Sequence, residues 1–309
     1  MRGQLLTTAP LAIIAVCYAI AAPSSSSTSP HDNSDRRSSA LTLCPRSNSL
    51  NAACRSAADN LSQQLPAEWN VLVREPFVIA GDCRADELGR YHQQIISPTA
   101  RALAVQYFDA HPNWPITVVL CSSDESYKEC NQSLGERERS DYAGIYSRHE
   151  HRVIVNMGTG EGTLAHEMTH ALAHADFPTL PEWLDEGLAS LYEECEFSDD
   201  GLRLLGSENW RGAVLLNALR AGKLRSIADL ASQRFAEGDP STDYAQARYF
   251  CLYLQQRGLL EPFYRKTRAR AKEDLSGLQS LCDLMETDQI EAIDRDFQKW
   301  FGSLRSRSR

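Results

Sequence analysis

The stretch that most constrains this chain is residues 163–174, TLAHEMTHALAH. Leu164, Ala165, Met168, Ala171 and Leu172 recur at helical spacing and mark a helix that has to be buried. The same stretch carries His166, Glu167, His170 and His174. Buried imidazoles and carboxylates need partners, because a polar group left unpaired inside a protein costs about 1–3 kcal/mol. Any fold for this chain must supply those partners around one central helix.

An α-helix advances about 100° per residue, so His166 and His170 stand about 40° apart and one turn along. Their rings can converge on one ion, with Glu167 beside them to take a proton from water. His174 lies about 12 Å beyond His166 along the axis and is out of reach of that ion. It reads as a structural residue or one that supports the ligands from behind. A catalytic zinc takes three protein ligands and keeps one position open, so another ligand is needed. Residues 181–193, PEWLDEGLASLYE, form the next predicted helix, after a short link that holds Pro178 and Pro181. A short link favours antiparallel packing, which brings Glu186 back beside the histidines. Its neighbours Trp183, Leu184, Leu188 and Leu191 mark a buried face, where a carboxylate requires a metal, a cation or a donor. Glu182, Asp185, Glu193 and Glu194 are the competing carboxylates and are expected to face solvent.

HEMTH followed by WLDEGLAS resembles the gluzincins, the peptidase MA-like clan of thermolysin and the aminopeptidase-N type enzymes. The likeness covers residues 163–193 well and residues 70–260 more weakly. It implies a gluzincin/thermolysin-like catalytic fold and a zinc peptidase acting on peptide or protein substrates. It assigns one Zn2+ per chain to His166, His170 and Glu186, and the general base to Glu167. Within the resemblance Glu193 matches a carboxylate that supports the ligands. Tyr244, roughly sixty residues past the ligand glutamate, matches the tyrosine that donates to the oxyanion. Tyr146, Tyr249 and Tyr253 are its rivals. The clan's aminopeptidases carry a G-x-M-E-N type segment before the zinc helix, whereas this chain reads GIYSRHEHRVIVNM there. Exopeptidase action at free N-termini is therefore without support. The strand at 152–157 is expected to take an extended peptide as a neighbouring strand. The alternative is a binding module that keeps the gluzincin fold and cleaves nothing.

The remaining sequence organises itself around this core as an α+β protein, strands first and helices after. An α/β lobe is expected over 44–176, with a small mixed sheet, ending in the HEMTH helix. Its predicted elements are helices at 49–65, 86–110 (broken near Pro98) and 124–134, strands at 71–81 and 115–123, and a hairpin at 143–157. An all-helical lobe over 177–302 and a basic tail at 303–309 follow. The glycines at 158, 160 and 162 let the chain turn sharply into the helix. At the other end, Arg2, the apolar run 11–22 and Ala19-Ile20-Ala21 have the form of a secretory signal cut after Ala21. The run is short for a membrane span of about 20 residues, so stable insertion is not expected. Residues 22–43 are serine-rich and read as a flexible linker. The product is expected outside the cytoplasm, periplasmic or extracellular. Of nine cysteines, Cys17 falls in the signal, and the even set that remains suggests disulfides. Cys44 with Cys54 and Cys121 with Cys130 are the neighbouring pairs. No C-x-x-C pair is present, which argues against thiolate zinc. A net charge of −9 argues against nucleic acid as a partner. Asn60-Leu-Ser and Asn131-Gln-Ser have the form of glycosylation sequons.

Overall fold

The computed structural model describes residues 48–136, 142–232, 235 and 239–307. The expected signal peptide, the linker and Cys44 lie outside the described residues. One five-stranded mixed sheet organises the first half. Its strands are β1 (Asn70–Arg74), β2 (Phe77–Gly81), β3 (Ile116–Cys121), β4 (Gly144–Ser147) and β5 (Arg152–Asn156), in spatial order β1-β2-β3-β5-β4. The three central strands run parallel, and β1 and β4 lie antiparallel on the two edges. Strands covered on both faces need apolar side chains in both directions, which is why FVIAG, ITVVLC and RVIVN are nearly unbroken apolar runs.

The alternation along each strand sorts those side chains into two layers. Val78, Ala80, Val119, Ile145 and Ile154 pack beneath α1 (Asn48–Gln64) and α4 (Asp124–Ser133). Phe77, Ile79, Val118, Leu120, Val153 and Val155 face the larger core, with α3 (Ser97–Gln106) and α5 (Glu161–Asp176). The break expected near Pro98 falls one turn earlier. A short helix, α2 (Ala85–Tyr91), passes through a π-helical turn at His92–Ile96 into α3, and Pro98 sits in the first turn of α3. The chain is helical on both sides of it, and the wider π turn just before is where the helix takes in a residue that cannot donate. The thiols of Cys121 and Cys130 are neighbours, and that contact together with burial pushes Cys121 far above its ordinary pKa. Asn131 is fully buried inside α4, which closes that sequon, whereas Asn60 is exposed on α1.

The second half is largely helical, with α6 (Glu182–Tyr192), α7 (Arg211–Arg220), α8 (Ile227–Ser232), α9 (Pro240–Gln256), α10 (Leu260–Ala269), α11 (Leu278–Leu284) and α12 (Ile290–Arg307). The expectation of an all-helical lobe is corrected by a hairpin of β6 (Cys195–Phe197) and β7 (Leu204–Gly206). Its turn carries Asp200-Gly201, with Gly201 at φ 65°, a pairing that favours tight hairpins. The strands are too short to show a period of two, so the turn was the only local signal. α12 runs on to Arg307, into the stretch read as a basic tail. Among the described residues no helix is long and apolar enough to cross a membrane.

Asp176, at the end of α5, ties the two halves together. Its carboxylate accepts from the backbone N–H of Asp109 and of Ala110, each at 2.8 Å, and from the Tyr264 hydroxyl at 3.1 Å. It also pairs with Arg268. The helix that carries the histidines is thereby fixed to the loop before β3 and to α10.

Candidate metal centre

The centre is built on α5 and α6, which pack against one another behind the edge of the sheet. Gly160 enters α5 with φ 108°. Gly162 lies in its first turn, where a side chain would run into the Glu193 carbonyl oxygen at the end of α6. The glycines before the helix thus do more than allow a turn: one of them lets the start of α5 touch the end of α6. From that start the helical spacing places His166 and His170 towards α6, and the short proline-bounded link brings Glu186 back to meet them.

His166 Nε2 and His170 Nε2 lie 3.0 Å apart. Glu186 Oε2 is 3.6 Å from each. A tetrahedral zinc with ligand bonds near 2.05 Å has ligand–ligand edges of about 3.3 Å, and the three separations bracket that value. Glu186 Oε2 is buried and has no hydrogen-bond partner among the described residues. A carboxylate oxygen set between two imidazole nitrogens beyond hydrogen-bond reach calls for positive charge there, from protonated imidazoles or from a metal ion. The three residues form a group able to hold a metal ion.

Each histidine is held from behind by a carboxylate. His170 Nδ1 donates to Asp185 Oδ1 at 2.8 Å, which turns its Nε2 towards Glu186. Asp185 also accepts from His174 Nε2 at 2.7 Å. On the other side His166 Nδ1 lies 3.1 Å from Glu193 Oε1, within ion-pair range but off the axis of a hydrogen bond. Arg211, at the start of α7, grips both oxygens of Glu193 through Nε at 3.1 Å and Nη2 at 2.9 Å. Asp185 and Glu193 therefore depart from the expectation that they face solvent, while Glu182 and Glu194 are exposed. The physical reason is the neighbouring cationic nitrogens. Burial alone would raise the Asp185 pKa, but His170 and His174 outweigh it and hold the group down at about 2. Glu193 is likewise held at about 2, against burial, by His166 and Arg211.

Glu167 is buried on α5 beside the ligands. Burial raises its pKa, and the nearby His166 and His170 only partly oppose that. β4 crosses directly over it. A Cβ on Gly144 would sit 2.9 Å from Glu167 Cγ and 3.0 Å from its Oε1, so the glycine is what lets the strand approach the carboxylate. β5, the strand expected to accept a peptide, is corrected here: it is enclosed between β3 and β4 and has no open edge. Among the described residues the terminal strand on this side is β4.

Tyr244, in the first turns of α9, reaches the centre from the far side. Its pKa is raised by burial and then by the Glu186 carboxylate, to which its hydroxyl lies adjacent. Arg211 lies 5.4 Å from the Tyr244 ring centre and 4.5 Å from that of Trp210, so one guanidinium touches both the Glu193 support and the tyrosine. Of the rivals, Tyr249 is bonded to the Asn209 backbone and Tyr253 donates to Asp296, both away from the centre. Tyr146, on β4, packs its ring 5.6 Å from that of His174, and burial pushes its pKa up to about 12. Sequence reasoning brought together His166, Glu167, His170, Glu186 and Tyr244. It missed the roles of Asp185, Arg211 and Gly144. Asp185 had one usable signal, its place next to the ligand glutamate; Arg211 and Gly144 had none. No protein-family model matches the chain, and no curated protein matches it.

Proposed function

We propose that this chain is a zinc-dependent peptidase of the gluzincin type, working outside the cytoplasm with one zinc per chain. The observation that carries the reading is the stranded Glu186 Oε2, buried 3.6 Å from the Nε2 atoms of both His166 and His170. His166, His170 and Glu186 would hold the ion. When bound, zinc supplies Lewis-acid activation of water and of the scissile carbonyl. Glu167, buried and with a raised pKa, takes the proton of the attacking water and returns it to the leaving amine nitrogen. Tyr244 stays protonated and donates its O–H to the oxygen on which negative charge develops. β4 offers backbone N–H and C=O groups to an extended peptide laid antiparallel or parallel along it, which places the scissile bond over Glu167.

The test is metal content and turnover together. The parent is expected to hold about one zinc per chain and Glu186→Ala little. Chelator-sensitive hydrolysis of casein or a mixed-peptide substrate should disappear in Glu167→Gln, with zinc retained, because Glu167 is not a ligand. A parent that takes up no zinc on reconstitution would refute the reading. Zinc without hydrolysis would instead favour the silent binding module of the same fold.

A further inference from the structure

The third histidine of the helix does not face the proposed ion, yet it is not idle. His174 Nε2 lies 2.7 Å from Asp185 Oδ2, and His170 Nδ1 lies 2.8 Å from Asp185 Oδ1. One buried carboxylate is thus shared between two imidazoles a turn apart on α5. An ionised carboxylate only accepts hydrogen bonds, so both ring nitrogens must donate. His170 donates from Nδ1, which turns its Nε2 towards Glu186 and leaves that nitrogen for the ion. His174 carries a proton on Nε2.

The other nitrogen of His174 tells why the residue is polar at all. His174 Nδ1 is buried and has no hydrogen-bond partner among the described residues. An imidazole with one stranded nitrogen is a poor choice for filling space, since a leucine would pack there without an unsatisfied group. Its one polar contact of consequence is the bond to Asp185. A carboxylate held by a single donor can swing about its terminal torsion, which is broad and roughly two-fold. Held by two donors at its two oxygens, it is locked in plane. We infer that His174 is a positioning residue of the metal centre: it locks Asp185, and Asp185 in turn holds the His170 ring with Nε2 aimed at the ion. This rests on the metal-binding reading above, and it concerns a residue outside the HEMTH motif.

Full-length His174→Leu and His174→Gln separate positioning from packing. Glutamine places its Nε2–H donor nearly where the histidine Nε2–H stands, whereas leucine has none. Zinc affinity is measured by competition with a chromogenic chelator. Heat unfolding of the metal-free proteins is followed alongside. His174→Leu is expected to bind zinc about 10–100-fold more weakly than the parent. His174→Gln should recover most of that loss, even if both variants unfold at the same temperature without metal. In nitrogen-15 spectra of the metal-free parent, the His170 Nδ1–H should be protected from exchange, and that protection should fall in His174→Leu alone. Parent-like zinc affinity in His174→Leu overturns the inference and leaves the metal site standing. So does an equal loss in leucine and glutamine variants. A parent that binds no zinc sinks the peptidase reading itself, and the inference with it.

Discussion

At Tyr244 the chain sets a hydroxyl against a carboxylate in a buried place, and both burial and Glu186 raise its pKa. The group is therefore a donor at every pH where a peptidase works. Tyr244→Phe is expected to lower kcat by about 10²–10³-fold, the cost of one oxyanion donor, with zinc content unchanged. Loss of zinc in that variant would show that the hydroxyl holds Glu186 instead. His166 gives a prediction for the metal-free chain. Burial opposes its charge, but Glu186 and Glu193 outweigh that and raise its pKa from 6.5 to about 9. A raised pKa means that the folded state binds the proton more tightly than the unfolded one. The stabilisation is then complete below pH 6.5 and is lost as pH rises through about 9. Thermal melts of the metal-free protein should show the midpoint falling across that window. With zinc bound, His166 Nε2 is committed to the ion and the fall should vanish, while protons compete with the metal at the acid end. A metal-free midpoint that is flat from pH 6.5 to 9 would show that His166 is not charged in the fold.

At the scale of elements, the decisive contact is between the first turn of α5 and the last residues of α6. Gly162 allows it, because any β-carbon there meets the Glu193 carbonyl oxygen. Gly162→Ala is expected to destabilise the fold by about 1–3 kcal/mol, the usual cost of overpacking, and to weaken zinc binding by moving Glu193 away from His166. Equilibrium unfolding in denaturant and chelator competition would measure the two effects separately. Much at this scale was legible beforehand. The apolar runs of β2, β3 and β5 announced buried strands, and the helical spacing of Leu164, Met168 and Leu172 announced α5. The turn at 148–151 marked the β4–β5 hairpin. What could not be read was strand order. A hairpin shows that β4 and β5 pair, but not which of them lies next to β3, and the peptide-accepting edge was assigned to the wrong strand for that reason. Of the two supporting carboxylates, the resemblance pointed to Glu193, while residue spacing alone left both among the solvent-facing acids. Asp185 looks like an ordinary surface acid until α5 places two imidazoles against it, and Glu193 until α7 delivers Arg211.

At the scale of the molecule, Asp176 is the joint between the sheet-bearing half and the helical half. It gathers two backbone N–H groups, a tyrosine and an arginine around one side chain. Asp176→Ala leaves Arg268 without its buried partner and is expected to cost about 3–5 kcal/mol. A denaturation midpoint within error of the parent would show that the joint lies elsewhere. The layout of the metal centre along the chain has its own consequence. Its ligands and both supporting carboxylates fall within residues 166–193, whereas Arg211 and Tyr244 arrive from α7 and α9. Contacts so near in sequence close small loops and lose little entropy in doing so. On a ribosome the helix pair that carries His166, His170 and Glu186 leaves the exit tunnel before Tyr244 has been made. On the function proposed above, the order of synthesis would separate capturing an ion from acquiring the power to cut. If the chain is the peptidase proposed, it would hold its metal while still harmless to its neighbours, and would become a blade only when α9 folds down over the site.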